Sequence, residues 1–271
     1  MNGALKAVCR DEVFGVVTAL SGRYSFRRTK NFQSSFWPVQ SYLDNRDTLN
    51  KPIVIVIESP HIDEFRVYNV YNAKDQSPVR ARPANGATGR NIVEYLPAIF
   101  EAHQISLADG KYPLILVNAI QKQCSEGKDT CISRTRNFLK LWPSHCSDFV
   151  SRLKQLDPIL VINACTKGDF YIRDQHGELT STKAFSSNFE TQFKWLLQHE
   201  VKTVDDTNCT DFIFMNSLDL SGLAMFCIDW IYGKKGISIY KTSHPSSWGF
   251  RMPRLQTYNP NFIKRFKVQG T

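Results

Sequence analysis

The stretch PIVIVIESPH, residues 52–61, decides the reading of this chain. Its opening run is apolar on both alternating faces, as a strand buried between two layers must be. It ends at once on a carboxylate, a hydroxyl, a proline and an imidazole. Three further runs share this character: PLILV at 113–117, PILVI at 158–162 and GISIY at 236–240. A proline opens three of the four, where its missing N–H does least harm to a sheet. Helical patterns fall at residues 89–103, 147–156, 189–199 and 217–232. Strands alternating with helices imply α/β architecture with right-handed crossovers: three layers, α/β/α, about a central four-stranded parallel sheet.

Three stretches read as insertions on this plan. Residues 62–88 are polar and rich in Asn, Arg and Pro, a long loop of the kind that usually serves function. Residues 168–188 read as a hairpin or insertion, and residues 201–216 fit no element. With no repeat, low-complexity tract or linker, residues 1–271 are expected to form one domain.

The composition excludes several classes. A chain of 271 residues with 42% hydrophobic and 22% charged residues is not disordered, collagen-like or coiled-coil. Lys and Arg number 34 against 25 Asp and Glu, a net charge of +9, which favours a polyanionic partner, nucleic acid first. A solvated basic surface is the plainer alternative. The segment GRYSFRRTKNF, residues 22–32, basic with interleaved aromatics, fits either reading: a packer of bases and phosphates or a solvated arm. The 7 cysteines include no CxxC pair, and the N-terminus lacks a basic region followed by an apolar one, so free thiols and a cytoplasmic location are expected. No apolar run approaches the ~18 residues of a membrane helix. Cys124, Cys131, His145 and Cys146 match no usual zinc spacing, and neither metal nor cofactor is expected. A monomer is expected.

In an open parallel sheet, ligands bind beyond the carboxyl ends of the strands. Here those ends continue as Glu58-Ser59-Pro60-His61, Asn118-Ala119-Ile120-Gln121, Asn163-Ala164-Cys165-Thr166 and Lys241-Thr242-Ser243-His244-Pro245-Ser246. A carboxylate, an amide and an imidazole would gather on one rim. Asn85-Gly86-Ala87-Thr88-Gly89-Arg90 opens a helix whose bare amides favour an anion, although it is neither a Walker loop nor a GxGxxG fingerprint. Each residue also has an ordinary reading: Glu58 as a strand end reaching water, Asn118 as a cap or turn residue, His244 as a partly buried histidine.

In order and spacing these motifs resemble those of the uracil-DNA glycosylase superfamily. IESPH (57–61) stands where that family has GEAPG or GQDPYH, LILVNA (114–119) matches its Asn motif, and SHPSSW (243–248) matches its HPS motif. RPANGATGRNI (82–92) looks like the RPFVGxAGxxL segment of its iron–sulfur members. The resemblance spans residues 52–252. It implies a uracil-DNA-glycosylase-like fold with insertions, DNA as partner, base flipping, and hydrolysis of an N-glycosidic bond to leave an abasic site.

By this resemblance Glu58 would orient or deprotonate water and stabilise the cationic sugar, His244 would donate to the leaving base, and Asn118 would read the base edge. Ser59, Pro60, His61, Ala84 and Asn85 would line the base pocket. Gly86, Thr88, Gly89, Arg90, Ser246, Trp248, Phe250 and Arg251 would hold DNA, with Trp248 or Phe250 filling the vacated stack. Arg80, Arg82 and Arg254 flank the same motifs. No lysine accompanies the motifs, so a covalent imine with strand cleavage is not expected.

The chain departs from the pattern in three places. Ala84 stands where relatives carry the aromatic that stacks under the base, and His61 replaces Tyr or Gly. Both departures suggest a roomier, more polar pocket for a base larger than uracil, such as a glucosylated cytosine of phage DNA, which would make the enzyme a defence protein. Tyr68 or Tyr71 supplying the stack would instead restore ordinary uracil repair. The iron–sulfur pattern is incomplete, since Cys124 and Cys146 follow the Asn motif but only Cys9 precedes it. A DNA-binding module without activity and a nucleoside hydrolase are the alternatives in other classes.

Overall fold

The computed structural model describes residues 8–29, 38–64, 83–126, 130–169, 172–173, 179–181 and 220–258. The four expected runs are strands: β3 (Ile53–Ile57), β4 (Gly110–Asn118), β5 (Leu160–Asn163) and β8 (Ser238–Lys241). They pair in parallel, β4 with β3, β3 with β5 and β5 with β8. The sheet is wider than four strands, however. It is mixed and seven-stranded, in the order β2 (Arg23–Arg28), β1 (Glu12–Leu20), β4, β3, β5, β8, β9 (Gln256–Thr257).

The extra strands come from local hairpin chemistry that the parallel pattern conceals. β1 (Glu12–Leu20) and β2 (Arg23–Arg28) pair antiparallel with Leu20 opposite Arg23. Both loop residues, Ser21 and Gly22, have positive φ, the geometry of a tight hairpin whose twist matches its strands. The basic segment that begins at Gly22 is therefore an edge strand as far as Arg28, and β1 lies antiparallel along β4. At the far edge, β9 (Gln256–Thr257) pairs antiparallel with β8. Between β5 and β8 the expected hairpin is present as β6 (Ile172–Arg173) with β7 (Leu179–Ser181). The helix expected at 189–199 and the segment 201–216 lie outside the described residues.

Because side chains alternate along a strand, each inner strand feeds two cores. Ile53, Ile55 and Ile57, with Leu114, Leu116 and Ile162, join Ile92, Leu96 and Ile99 of α2 (Ala87–Ala102) on one face. Val54, Val56, Ile115, Val117 and Val161 join α3 (Asn137–Gln155) and α4 (Leu220–Tyr232) on the other. Helices thus cover both faces. α3 starts ten residues before the expected 147 and contains Pro143. Its buried Phe138, Leu139, Trp142, Cys146, Phe149 and Leu153 keep helical spacing through that proline. A π-helical turn, Thr130–Arg136, leads into it, and a short α1 (Val39–Asp44) precedes β3. Among the described residues no helix is long and apolar enough to cross a membrane.

Candidate active site

The parallel strands run in space as second, first, third, fourth in chain order, so the crossovers change direction between β3 and β5. Such a switch point opens a crevice at the strand ends. Glu58 leaves β3 there, 3% exposed, and its Oε2 accepts the Thr166 N–H at 3.2 Å, just past β5. His244 reaches the same carboxylate from β8, with Nε2 3.6 Å from Glu58 Oε2.

The turn after His244 sets the state of its ring. Pro245–Ser247 form one 3₁₀ turn, which directs the Ser246 N–H at His244 Nδ1 from 3.2 Å. The Ser246 Oγ lies 2.8 Å from the same nitrogen. A backbone N–H can only donate, so Nδ1 is an acceptor and the ring proton sits on Nε2, on the Glu58 side. Burial pushes the His244 pKa down, Glu58 opposes that shift and Arg134 adds to it. His244 is therefore a neutral N–H donor at pH 7.

Asn118 ends β4 beside Ile57 and is fully buried. Neither Oδ1 nor Nδ2 of its amide has a hydrogen-bond partner. Thr166 Oγ1 and Thr242 Oγ1, at the exits of β5 and β8, are likewise buried and unpaired. Buried polar atoms without partners are costly, and those at these neighbouring strand ends are placed where a bound ligand or water could satisfy them.

A cleft of about 580 Å³ adjoins His244. Its lining includes Lys167, Lys241, Arg251 and Arg254 together with Thr166, Thr242 and Ser246, and among the described residues contains no carboxylate. Four cations gathered along one cleft, with Glu58 at its inner edge, favour an anion.

The 83–90 segment packs against this rim. Gly86 caps α2, and Asn91 one turn on donates from Nδ2 to the carbonyls of Pro245 (2.8 Å) and Ser246 (3.3 Å). The helix start and the His244 turn are thereby joined. Asn85, Gly86 and Thr88 are half-buried and Arg90 is exposed, but Gly89 is buried. A Cβ on Gly89 would lie 1.9 Å from the Ala84 carbonyl oxygen, so this glycine serves close packing.

Ala84 is fully buried within the α2-side core, with φ +55°. Its methyl does not line the cleft, so the enlarged pocket inferred from its small size has no counterpart among the described residues. Its N–H donates to Glu64 Oε1 at 3.0 Å. Pro60 accepts from Cys124 N at 3.4 Å, and the buried Ser59 hydroxyl lies beside the Cys124 thiol. His61 is half-buried and bridges in parallel to Ser125. Trp248, 1% exposed, donates from its indole to the Ser243 carbonyl at 2.9 Å and is a core residue rather than a wedge. Phe250 is 95% exposed, with the exposed Arg251 next to it. Tyr68, Tyr71, Arg80 and Arg82 lie outside the described residues.

Sequence reasoning did not find Glu64, Arg134, Arg152 or Lys167 as parts of this region. They sit in no motif, and only folding brings them near the strand ends. Among the described residues no group of three or more His, Cys, Asp or Glu could hold a metal ion. In comparisons with known proteins, no family model, no curated protein and no solved structure matches this chain.

Proposed function

We propose that the protein is a monofunctional DNA glycosylase that flips out an aberrant or modified pyrimidine and hydrolyses its bond to deoxyribose. The observation that carries this reading is the meeting of Glu58 and His244 across 3.6 Å, with His244 held as a neutral donor. Breaking an N-glycosidic bond builds positive charge at C1′ and negative charge on the departing base. A carboxylate and a fixed N–H donor at one point answer those two charges.

In the proposed reaction Glu58 stabilises the cationic sugar and takes a proton from the water that attacks C1′. The C1′–N bond breaks with its electron pair moving onto the base, whose oxygen accepts the hydrogen bond from His244 Nε2. Asn118 supplies a donor and an acceptor to the base edge, which satisfies its amide. The basic cleft takes the phosphates of the strand, and Phe250 enters the gap left in the stack. The switch-point placement and the four adjacent parallel strands support a uracil-DNA-glycosylase-like core. The half-buried His61, where the family motif has Tyr or Gly, supports a more polar base pocket, with a modified cytosine of phage DNA as the leading candidate.

The test is to incubate the protein with DNAs carrying uracil, hydroxymethylcytosine or glucosylated hydroxymethylcytosine and then cleave abasic sites with alkali. Alkali-labile sites are expected with at least one DNA, and Glu58→Gln should lower their rate of formation by 10²-fold or more while DNA binding persists. Lys167 and Lys241 line the cleft, so borohydride trapping is added; the absence of a covalent adduct is the expected result. Binding without abasic sites on any DNA would favour a non-catalytic module, and activity only on free nucleosides would favour a hydrolase.

A further inference from the structure

We infer that Arg152 and Asp11 form a positioning device for Asn118, gripping the two peptide units around it so that its unbonded amide keeps a fixed place at the base edge. This deepens the glycosylase reading and rests on it for the identity of the ligand.

β1 stops supporting β4 before the critical residue is reached. The last pair of that ladder is Glu12 with Leu116, two positions short of Asn118. Side chains then take over from the backbone. Asp11 Oδ1 accepts the Asn118 N–H at 3.2 Å and Gln121 Nε2 at 3.0 Å. Arg152, from α3, donates from Nη2 to the carbonyls of Asn118 (2.9 Å) and Ala119 (3.3 Å). Its Nη1 meets Asp11 Oδ2 at 2.5 Å and its Nε meets Asp148 Oδ2 at 2.8 Å. All three guanidinium nitrogens are used. On its other side the same segment is held by β3, where Ala119 N donates to Ile57 O (2.8 Å) and Ile120 N to Glu58 O (3.0 Å).

Stability alone does not require this arrangement. The Arg152 side chain is 16% exposed and that of Asp11 is 8% exposed, and a buried ion pair gains little over apolar side chains of similar size. What apolar residues cannot do is hold two successive carbonyls and an N–H at set distances. The rigid fork of arginine can, whereas the single ammonium of lysine cannot. The contrast within Asn118 fits this role: its main chain is bonded on every side, and its amide is bonded to nothing.

The experiment is a double-mutant cycle of Arg152→Lys with Asn118→Ala in the full-length protein, read in single-turnover excision, DNA affinity and thermal unfolding. Arg152→Lys should lower excision roughly 10-fold to 10²-fold with DNA affinity unchanged, as small misplacements of a reading group do. The double variant should be no slower than Asn118→Ala alone, since Arg152 acts only through Asn118. Additive losses would overturn the proposal. Should Arg152→Lys not fold, the neutral pair Asp11→Asn with Arg152→Met is read in the same cycle. If wild-type protein excises no base, the glycosylase reading fails, and the cycle is read instead in affinity for free uracil and free cytosine, followed by NMR of the Asn118 amide. Coupled losses of base affinity would support the device, and additive losses or no binding of either base would overturn it.

Discussion

The backbone N–H of Ser246 points at Nδ1 of His244 from 3.2 Å, and that contact assigns the ring proton to Nε2. With the His244 pKa held below its ordinary 6.5, the donor form prevails at neutral pH. Excision should be flat through neutrality and fall as acid protonates the ring, at a pH below 6.5. The unfolded chain takes up that proton at a higher pH than the folded one, so the His244 contribution lowers stability as pH falls through 6.5. His244→Ala should cost about 10²-fold or more in rate. His244→Gln, which keeps an N–H without titrating, should retain part of the rate and lose the His244 share of the acid limb; an unchanged acid limb in a pH–rate profile would place the titrating group elsewhere.

Glu64 titrates in the opposite sense. Burial pushes its carboxyl up to about 8, the Ala84 N–H opposes the shift and Glu58 adds to it. The folded state therefore binds a proton that the unfolded state releases near 4.5, and stability should decline as pH rises from about 4.5 through 8. Glu64→Gln keeps an acceptor for Ala84 N and removes the charge. Urea unfolding at pH 6 and pH 9 should show a drop on the order of a few kcal/mol in wild type that the variant lacks.

Two aromatic residues of one loop should respond differently. Trp248→Ala removes a buried ring and its hydrogen bond to Ser243, at a cost of roughly 3–5 kcal/mol of stability. Phe250→Ala removes an exposed ring and should leave thermal unfolding unchanged while weakening DNA binding by about 1–3 kcal/mol. Equal effects of the two substitutions on unfolding would contradict these placements.

The cleft cations should appear in the salt dependence of binding. Each phosphate contact adds about 0.7–0.9 to the slope of log affinity against log salt. Lys167→Ala, Lys241→Ala and Arg254→Ala should each reduce the slope by about one where the residue meets a phosphate. A binding constant indifferent to salt would sink the nucleic-acid reading.

The sequence carried the middle of the sheet well, because PIVIVI, PLILV and PILVI can hardly be anything but strands covered on both faces. It also brought Glu58, Asn118 and His244 forward, since each follows directly on such a run. β1 was hidden by its own composition: Glu12 at its head and Gly15 in its middle break the apolar run that marks a buried strand. Nothing in SSWGF distinguishes the buried Trp248 from the exposed Phe250, because burial depends on the core each ring meets. Ala84 was read from what stands there in other chains, whereas its place is set by the left-handed backbone and the closeness of Gly89. Arg152 had no local signal at all, being an exposed-type residue on a helix until β4 is packed beneath it.

The placement of β1 bears on where this protein can be cut. The motif-bearing stretch, residues 52–252, looks like a natural unit for expression, yet the strand that shields one flank of β4 and the carboxylate that grips Asn118 both come from before residue 21. A fragment starting at the first motif would expose the edge of a parallel sheet and free the very segment that has to stay still. Asp11 and β1 are thus part of the support of the strand-end rim, and on the glycosylase reading truncations that remove them belong among the changes that would abolish activity without touching any motif.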